Sequence, residues 1–163
     1  MIVGHQAFTL RHDGLSNVIV TPVTITNIYN NTSAVFNAVW DTGAMRTTIS
    51  QKVVDTIGCI ATDKAMMIGV GSKPKEVNIY DINLKLLNNV TIQKISVLSA
   101  SEIGGCDVLI GMDIITLGDL AITNCDKKTV MTFSIPSHKT LDFVERAEQL
   151  NKPLFKKGIL KKV

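Results

Sequence analysis

The chain has 163 residues, 45% of them hydrophobic and 19% charged, with a formal net charge of +3 at pH 7 and a pI of about 8.8. This is ordinary for a soluble globular protein of one domain plus an appendage, and a real core is expected. The basic excess is too mild to argue for a nucleic-acid partner unless it lies on one face.

Taken in chain order, 16–28 (S-N-V-I-V-T-P-V-T-I-T-N-I) is rich in β-branched residues with partial alternation and predicts a strand, bent or edged at Pro22. Tyr29-Asn30-Asn31-Thr32-Ser33 marks a turn, and 34–40 predicts a short apolar strand ending at Asp41. Ser50 is placed to cap a brief helix over 51–57, which Gly58 stops. Two extended runs, 65–70 and 76–87, flank Gly71-Ser72-Lys73-Pro74-Lys75 and predict a β-hairpin with a glycine-bearing tip. Strands are expected within 90–100 and again over 107–111, where a buried strand ends on glycine. A helical turn over 112–117 stopped by Gly118, and strands at 120–123 and 129–135, complete a mainly β domain. Beyond Pro136, residues 141–150 have helical spacing, with Leu141, Val144 and Ala147 on one side. The predicted organisation is therefore a domain over 1–136 and a helical, basic extension over 137–163.

An isolated Asp-Thr-Gly is a weak signal, but Asp41-Thr42-Gly43 follows one apolar strand, and a second apolar strand ending in Leu109-Ile110-Gly111 comes about seventy residues later with a short helix behind it. With A-V-W-D-T-G-A, the hairpin M-I-G-V-G-S, the strand E-V-N-I-Y-D-I-N-L-K-L, and D-V-L-I-G-M-D-I-I before G-D-L-A-I, the stretch from about 16 to 134 resembles the retropepsin-like aspartic proteases. The resemblance implies an acid-protease half-barrel with a flap hairpin and short helices. It also implies aspartic endopeptidase activity, in which two close carboxylates share one proton, so that one activates water while the other polarises the peptide carbonyl. Asp-Thr-Gly occurs once, so one chain would supply half of the pair and the enzyme would be a homodimer with two Asp41 residues facing across a two-fold axis.

In that reading Asp41, Thr42 and Gly43 are the catalytic residues: Gly43 lets the backbone approach its partner, and Thr42 offers a hydroxyl that locks the two loops together. Ala44, Met67, Ile68, Gly69, Val70, Gly71 and Ile110 are the substrate-binding candidates, with Val39 as a further pocket wall; each is equally readable as an ordinary strand or core residue. The tip of the 66–75 hairpin would close over an extended peptide. The alternative is a catalytically silent module of the same fold that holds peptides or partner proteins.

Two departures from the family pattern stand out. Retroviral members commonly carry Arg after the second-strand glycine and an acid two positions beyond the triplet, where this chain has Met112 and Met45; Arg46 and Asp113 stand one step further along. A swapped Arg46–Asp113 ion pair is one expectation, and exposed charges the other. The compact viral enzymes dimerise by interleaving terminal strands, whereas this chain continues nearly thirty residues past Ile135, a segment that could brace the dimer, block it or be cleaved.

Other features point to no further chemistry. Cys59, Cys106 and Cys125 are odd in number and widely spaced, so reduced thiols are expected rather than disulfides or zinc, with Cys106 a buried structural thiol. His5, His12 and His138 are scattered, and no metal or cofactor is expected. G-V-G-S-K-P lacks the rest of a phosphate-binding loop. The first twenty residues contain no apolar leader and no apolar run approaches the ~18 residues of a membrane span, so a cytoplasmic protein without a membrane partner is expected. The last twelve residues hold Lys152, Lys156, Lys157, Lys161 and Lys162 with no acid, read as a solvated tail or a weak anionic-surface contact.

Overall fold

Alternation of β-branched with polar residues sends every second side chain of Val20–Asn27 (β2) inward, burying Thr21, Val23, Ile25 and Asn27. Ser33–Trp40 (β3) does the same with Phe36, Ala38 and Trp40 and pairs antiparallel to β2. The computed structural model describes residues 4–68, 73–101 and 103–156. Its remaining strands and α-helices are Gln6–Arg11 (β1), Thr48–Ser50 (β4), Gln51–Ile57 (α1), Asp63–Met67 (β5), Lys75–Lys85 (β6), Thr91–Ala100 (β7), Val108–Ile110 (β8), Met112–Ile115 (α2), Asp119–Thr123 (β9), Val130–Ile135 (β10) and Phe143–Lys156 (α3).

Six strands run in the order β2-β3-β8-β4-β7-β6, and β6 pairs again with β2, so the sheet closes into a barrel with β5 attached outside β6. The half-barrel expected from the sequence thus closes on itself within one chain. Pro22 lies in β2 opposite Asn37, yet pairing with β6 begins only at Thr24, so the proline sits where β2 still has an open edge. A second sheet, β1-β10-β9, joins strands from the two ends of the described chain. Strand β1 falls in a segment for which no strand was expected, and its burial is confined to Phe8 and Leu10 on one face.

The two sheets meet through three aromatic rings. Trp40 packs against Phe133 of β10 with ring centroids 4.9 Å apart and against Phe8 of β1 at 6.0 Å. Its indole N–H donates to Thr21 Oγ1 at 2.9 Å, so the one polar atom of this buried side chain is satisfied. Gly118 leaves room for the same cluster: a Cβ there would stand 2.8 Å from Cζ of Phe133 and against the Ser134 carbonyl.

Helix α1 has the expected bounds, with Gly58 closing it in the left-handed region at φ 64°. Ser50 occupies the N-cap position with extended backbone, but its hydroxyl makes no capping bond; buried among core residues, Oγ has no partner among the described residues. The capping that the side chain of Ser50 was expected to give is therefore absent. The other end is capped from a distance, because buried Asn27 donates through Nδ2 to the carbonyls of Ile57 and Gly58 at 3.1 and 2.8 Å. Helix α2 is shorter than expected, ending at Ile115 with Thr116 as its C-cap.

Past β10 the chain is fastened to β9. Asp119 accepts from Ser137 Oγ at 2.5 Å and from the backbone N–H groups of His138 and Lys139 at 2.8 and 3.0 Å. The His138 ring lies tilted against His5, with ring centroids 4.7 Å apart. The Ser137 hydroxyl bond, followed by the His138 amide, holds the Asp119 carboxyl below the usual carboxylate range.

Two outcomes are expected. Gly118→Ala lowers stability by about 3 kcal/mol in urea unfolding, because neither the Phe133 ring nor the Ser134 backbone has room to yield. A folded-state pKa below the ordinary value means that the clasp is fully present above the carboxylate range and is lost as pH falls through that lowered pKa. The His138 and Lys139 amide proton shifts should therefore titrate below the usual aspartate midpoint. Asp119→Ala should abolish that titration.

Candidate active site

Trp40 ends β3 with its N–H on the Ile19 carbonyl at 3.0 Å, and the next N–H, of Asp41, donates to the carbonyl of Ile110 at 2.9 Å. Because β3 runs parallel to β8 with Trp40 opposite Ile110, this bond extends the ladder one residue past the strand and fixes where the Asp41 backbone leaves the barrel. The chain then turns back on itself. Asp41 Oδ1 accepts the Gly43 N–H at 2.8 Å, and the Asp41 carbonyl accepts the Ala44 N–H at 3.3 Å. A short acidic side chain bonding its own backbone two residues on is the reason an Asp, followed by small residues, makes this turn. A Cβ at Gly43 would lie 3.2 Å from that same Oδ1 and crowd it.

The loop is then tied down residue by residue to the start of α2. Ala44 O accepts the Met112 N–H at 2.8 Å and Met45 O accepts the Asp113 N–H at 3.3 Å. At Gly111 the two segments come so close that a Cβ would stand 2.6 Å from the carbonyl carbon of Arg46 and 2.9 Å from Thr47 N. Only glycine fits beneath this backbone crossing, which gives the Leu109-Ile110-Gly111 motif a steric reason.

Asp113 closes the crossing. Its Oδ2 accepts the Thr47 N–H at 2.8 Å, while Oδ1 accepts the Thr47 hydroxyl at 2.7 Å and the Ile114 N–H at 2.9 Å. Thr47 Oγ1, fully buried, also accepts the Gly111 N–H at 3.2 Å. The expected Arg46–Asp113 ion pair does not form: Arg46 Nη2 donates to the Ser96 carbonyl of β7 at 2.8 Å. Neighbouring side chains leave the extended backbone on opposite sides, so Thr47, not Arg46, faces Asp113. Sequence reasoning passed over Thr47. The signal available was an acid in the first turn of a helix whose N-cap, Gly111, has no side chain to offer.

The positions of the sequence-derived candidates divide into three groups. Asp41 is half-buried, Thr42 and Gly43 are exposed, and Ala44 is half-buried, all on the one loop. Ile110 is fully buried, so its side chain belongs to the core and is no pocket wall in this chain; it meets the loop through its carbonyl. Val39 is half-buried in β3. Met67 ends β5 opposite Lys75, Ile68 follows it with 71% of its surface exposed, and Gly69, Val70 and Gly71 lie outside the described residues. The β5–β6 hairpin is thus present up to that point, with Lys64 and Glu76 paired across it at 2.6 Å on the solvent-exposed surface.

The thiols lie in other settings. Cys106 is half-buried and donates through Sγ to Ile103 O at 2.9 Å, and burial pushes its pKa up, as it does for Cys59. Asp107, beside it, accepts the Asn37 N–H at 3.3 Å and pairs with Lys52 at 2.9 Å, tying β3 and α1 to the entrance of β8. Among the described residues no three His, Cys, Asp or Glu side chains are grouped as metal ligands.

Comparison with known proteins bears on the fold. No family model and no curated protein matches the chain. Among solved structures it is similar to a retropepsin-like aspartic protease from Rickettsia conorii, with a TM-score of 0.50 at 9% identity over 81% of this chain and 96% of that one. It is also similar to EIAV protease in complex with an inhibitor, with a TM-score of 0.42 at 22% identity over 62% of this chain and 88% of that one. The first likeness, together with the barrel, the hairpin and the two short helices, identifies the fold as retropepsin-like.

The Asp113 contacts yield a direct check. Asp113→Ala leaves the Thr47 donors without their acceptor and should cost about 2 kcal/mol in equilibrium unfolding, with Asp113→Asn intermediate. Arg46→Ala, which removes one exposed bond to a carbonyl, should cost less than about 1 kcal/mol.

Proposed function

We propose that this chain is an aspartic endopeptidase that works as a homodimer, with Asp41 of each subunit facing the other across a two-fold axis. The observation that carries this reading is the setting of Asp41: a half-exposed carboxylate, oriented by the Gly43 amide, on a loop pinned over Gly111 at the mouth of a retropepsin-like barrel. The Asp-Thr-Gly occurs once, so a second copy has to supply the other half of the pair.

Chemically, one carboxylate of the pair takes a proton from a water molecule as its oxygen attacks the peptide carbonyl carbon. The other, protonated, gives its proton to the carbonyl oxygen, forming a neutral gem-diol. Collapse of that intermediate breaks the C–N bond: the nitrogen is protonated by the carboxyl that accepted the water proton, while a gem-diol hydroxyl returns its proton to the other carboxylate as the new carbonyl forms. The pair returns to its single-proton state, and no metal or covalent enzyme intermediate enters the balance. Thr42 and Gly43 shape the loop, and Thr42, exposed on it, offers a hydroxyl for a bond across the subunit boundary.

The substrate in this reading is an extended peptide with apolar residues beside the scissile bond. The β5–β6 hairpin acts as a cover, and its exposed Met66 and Ile68 supply apolar contact. Ala44 keeps the loop side of the cleft shallow.

The decisive experiment incubates the full chain and its Asp41→Asn variant with a peptide mixture and reads the products by mass. Cleavage should fall by at least about a hundred-fold in the variant while sedimentation shows the same dimer. Turnover that survives the substitution removes the mechanism. Peptide binding without cleavage in the wild type would make the chain a binding module of the same fold.

A further inference from the structure

Among the described residues three strands stand at the ends of the sheets: β1 and β9 in the smaller one and β5 in the larger. An open strand edge is a template for another strand, and soluble proteins normally guard it with charge. Strand β1 carries Arg11, and β5 carries Asp63 and Lys64. Strand β9 has only Leu120-Ala121-Ile122 between Asp119 and Thr123, and the Asp119 carboxylate is already taken by Ser137, His138 and Lys139. The clasp leaves the edge itself open. It meets Asp119 through the side chain and then crosses the sheet to His5, which precedes β1 on the other side of β10.

Ile122 marks the same edge. Leu120 and Ile122 stand opposite Phe133 and Met131 of β10 and so share their inward face. Phe133 and Met131 are fully buried, whereas Ile122 is 46% exposed, because no described strand lies beyond β9 to cover it. The short sequence is also complementary to itself. Two copies of β9 paired antiparallel about Ala121 set Leu120 of each against Ile122 of the other, Ala121 against Ala121 and Asp119 against Thr123, with no like charges opposed.

We propose that the second copy docks through β9, edge to edge and antiparallel about Ala121, so that the two smaller sheets become one. The inference rests on the homodimer reading above and adds the surface on which the copies meet. Opposed residues of an antiparallel pair share a face, so both barrels come to lie on one side of the joined sheet. It is the side on which Phe8 and Phe133 pack against Trp40, the neighbour of Asp41, so the two acidic loops come to the same side of the interface. Strand β9 follows α2 after Thr116, Leu117 and Gly118, and α2 is stitched to the Asp41 loop, so docking edge and carboxylate share one support. Strand β1 keeps its pairing with β10 of its own chain, and no strand is exchanged between the copies.

The test follows the purified full chain by sedimentation velocity over a range of concentrations. Ala121→Lys sets two cations opposite each other at the axis and Ala121→Glu two anions, so each alone should weaken the dimer at least about ten-fold, while an equal mixture of the two variants should restore it. A side chain needed only for the fold of its own chain would not be rescued by mixing. Ile122→Gln, at a position already half exposed, should weaken the dimer about ten-fold. Thr9→Lys, exposed on β1, should leave it unchanged, with the same circular dichroism throughout. A dimer indifferent to Ile122→Gln or to the Ala121 changes, or one that mixing does not restore, overturns the β9 interface and leaves the homodimer standing. A wild-type chain that is monomeric at every concentration overturns both.

Discussion

The backbone crossing at Gly111 is the constraint on which the rest depends. Residues 46 and 47 pass within touching distance of the Gly111 Cα, and any side chain there would push the two segments apart. The Asp41 loop and the start of α2 are therefore one unit, stitched by Ala44, Met45, Thr47 and Asp113, and whatever shifts β8 shifts the carboxylate with it. This arrangement gives Asp41 a fixed position without burying it: the stiffness comes from backbone bonds behind the loop, leaving Thr42 and Gly43 open to solvent.

At Met45 and Met112, where the sequence departs from the pattern it otherwise resembles, the chain relies on a carboxylate bonded to neutral donors. Three donors to one half-buried Asp113 satisfy its charge without a cation, and the buried Thr47 hydroxyl is satisfied both as donor and as acceptor. The demand for a buried polar group to be paired is met by a different set of atoms. Arg46 is thereby free to reach β7, the strand that pairs with β4 just beyond the loop.

Much of the barrel was readable because the responsible forces are local. Alternation marked β2 and β3, Gly58 marked the end of α1 by its left-handed conformation, and apolar runs ending at Asp41 and Gly111 marked the two strands that meet beneath the loop. Features decided by distant partners escaped. Strand β1 owes its pairing to β10, more than a hundred residues away, and Q-A-F-T-L-R alone has only two inward apolar residues to announce it. Whether Arg46 or Thr47 faces Asp113 depends on the direction the chain takes over Gly111, which no spacing rule fixes. Ser50 sat at the right position for a cap, but burial turned its hydroxyl away from that task. Ile110 was apolar and near the motif, yet the pleat points it into the core.

The aromatic cluster that joins the two sheets has a bearing on biosynthesis. Phe8 and Trp40 are translated before most of the barrel, but Phe133, the ring that packs most closely on Trp40, comes only after all of it. Contacts that join the two ends of a chain are slow to form because the intervening loop must close first. A nascent chain halted before β10 presents Trp40 without the Phe133 ring, so this junction between the two sheets forms only once β10 has been made.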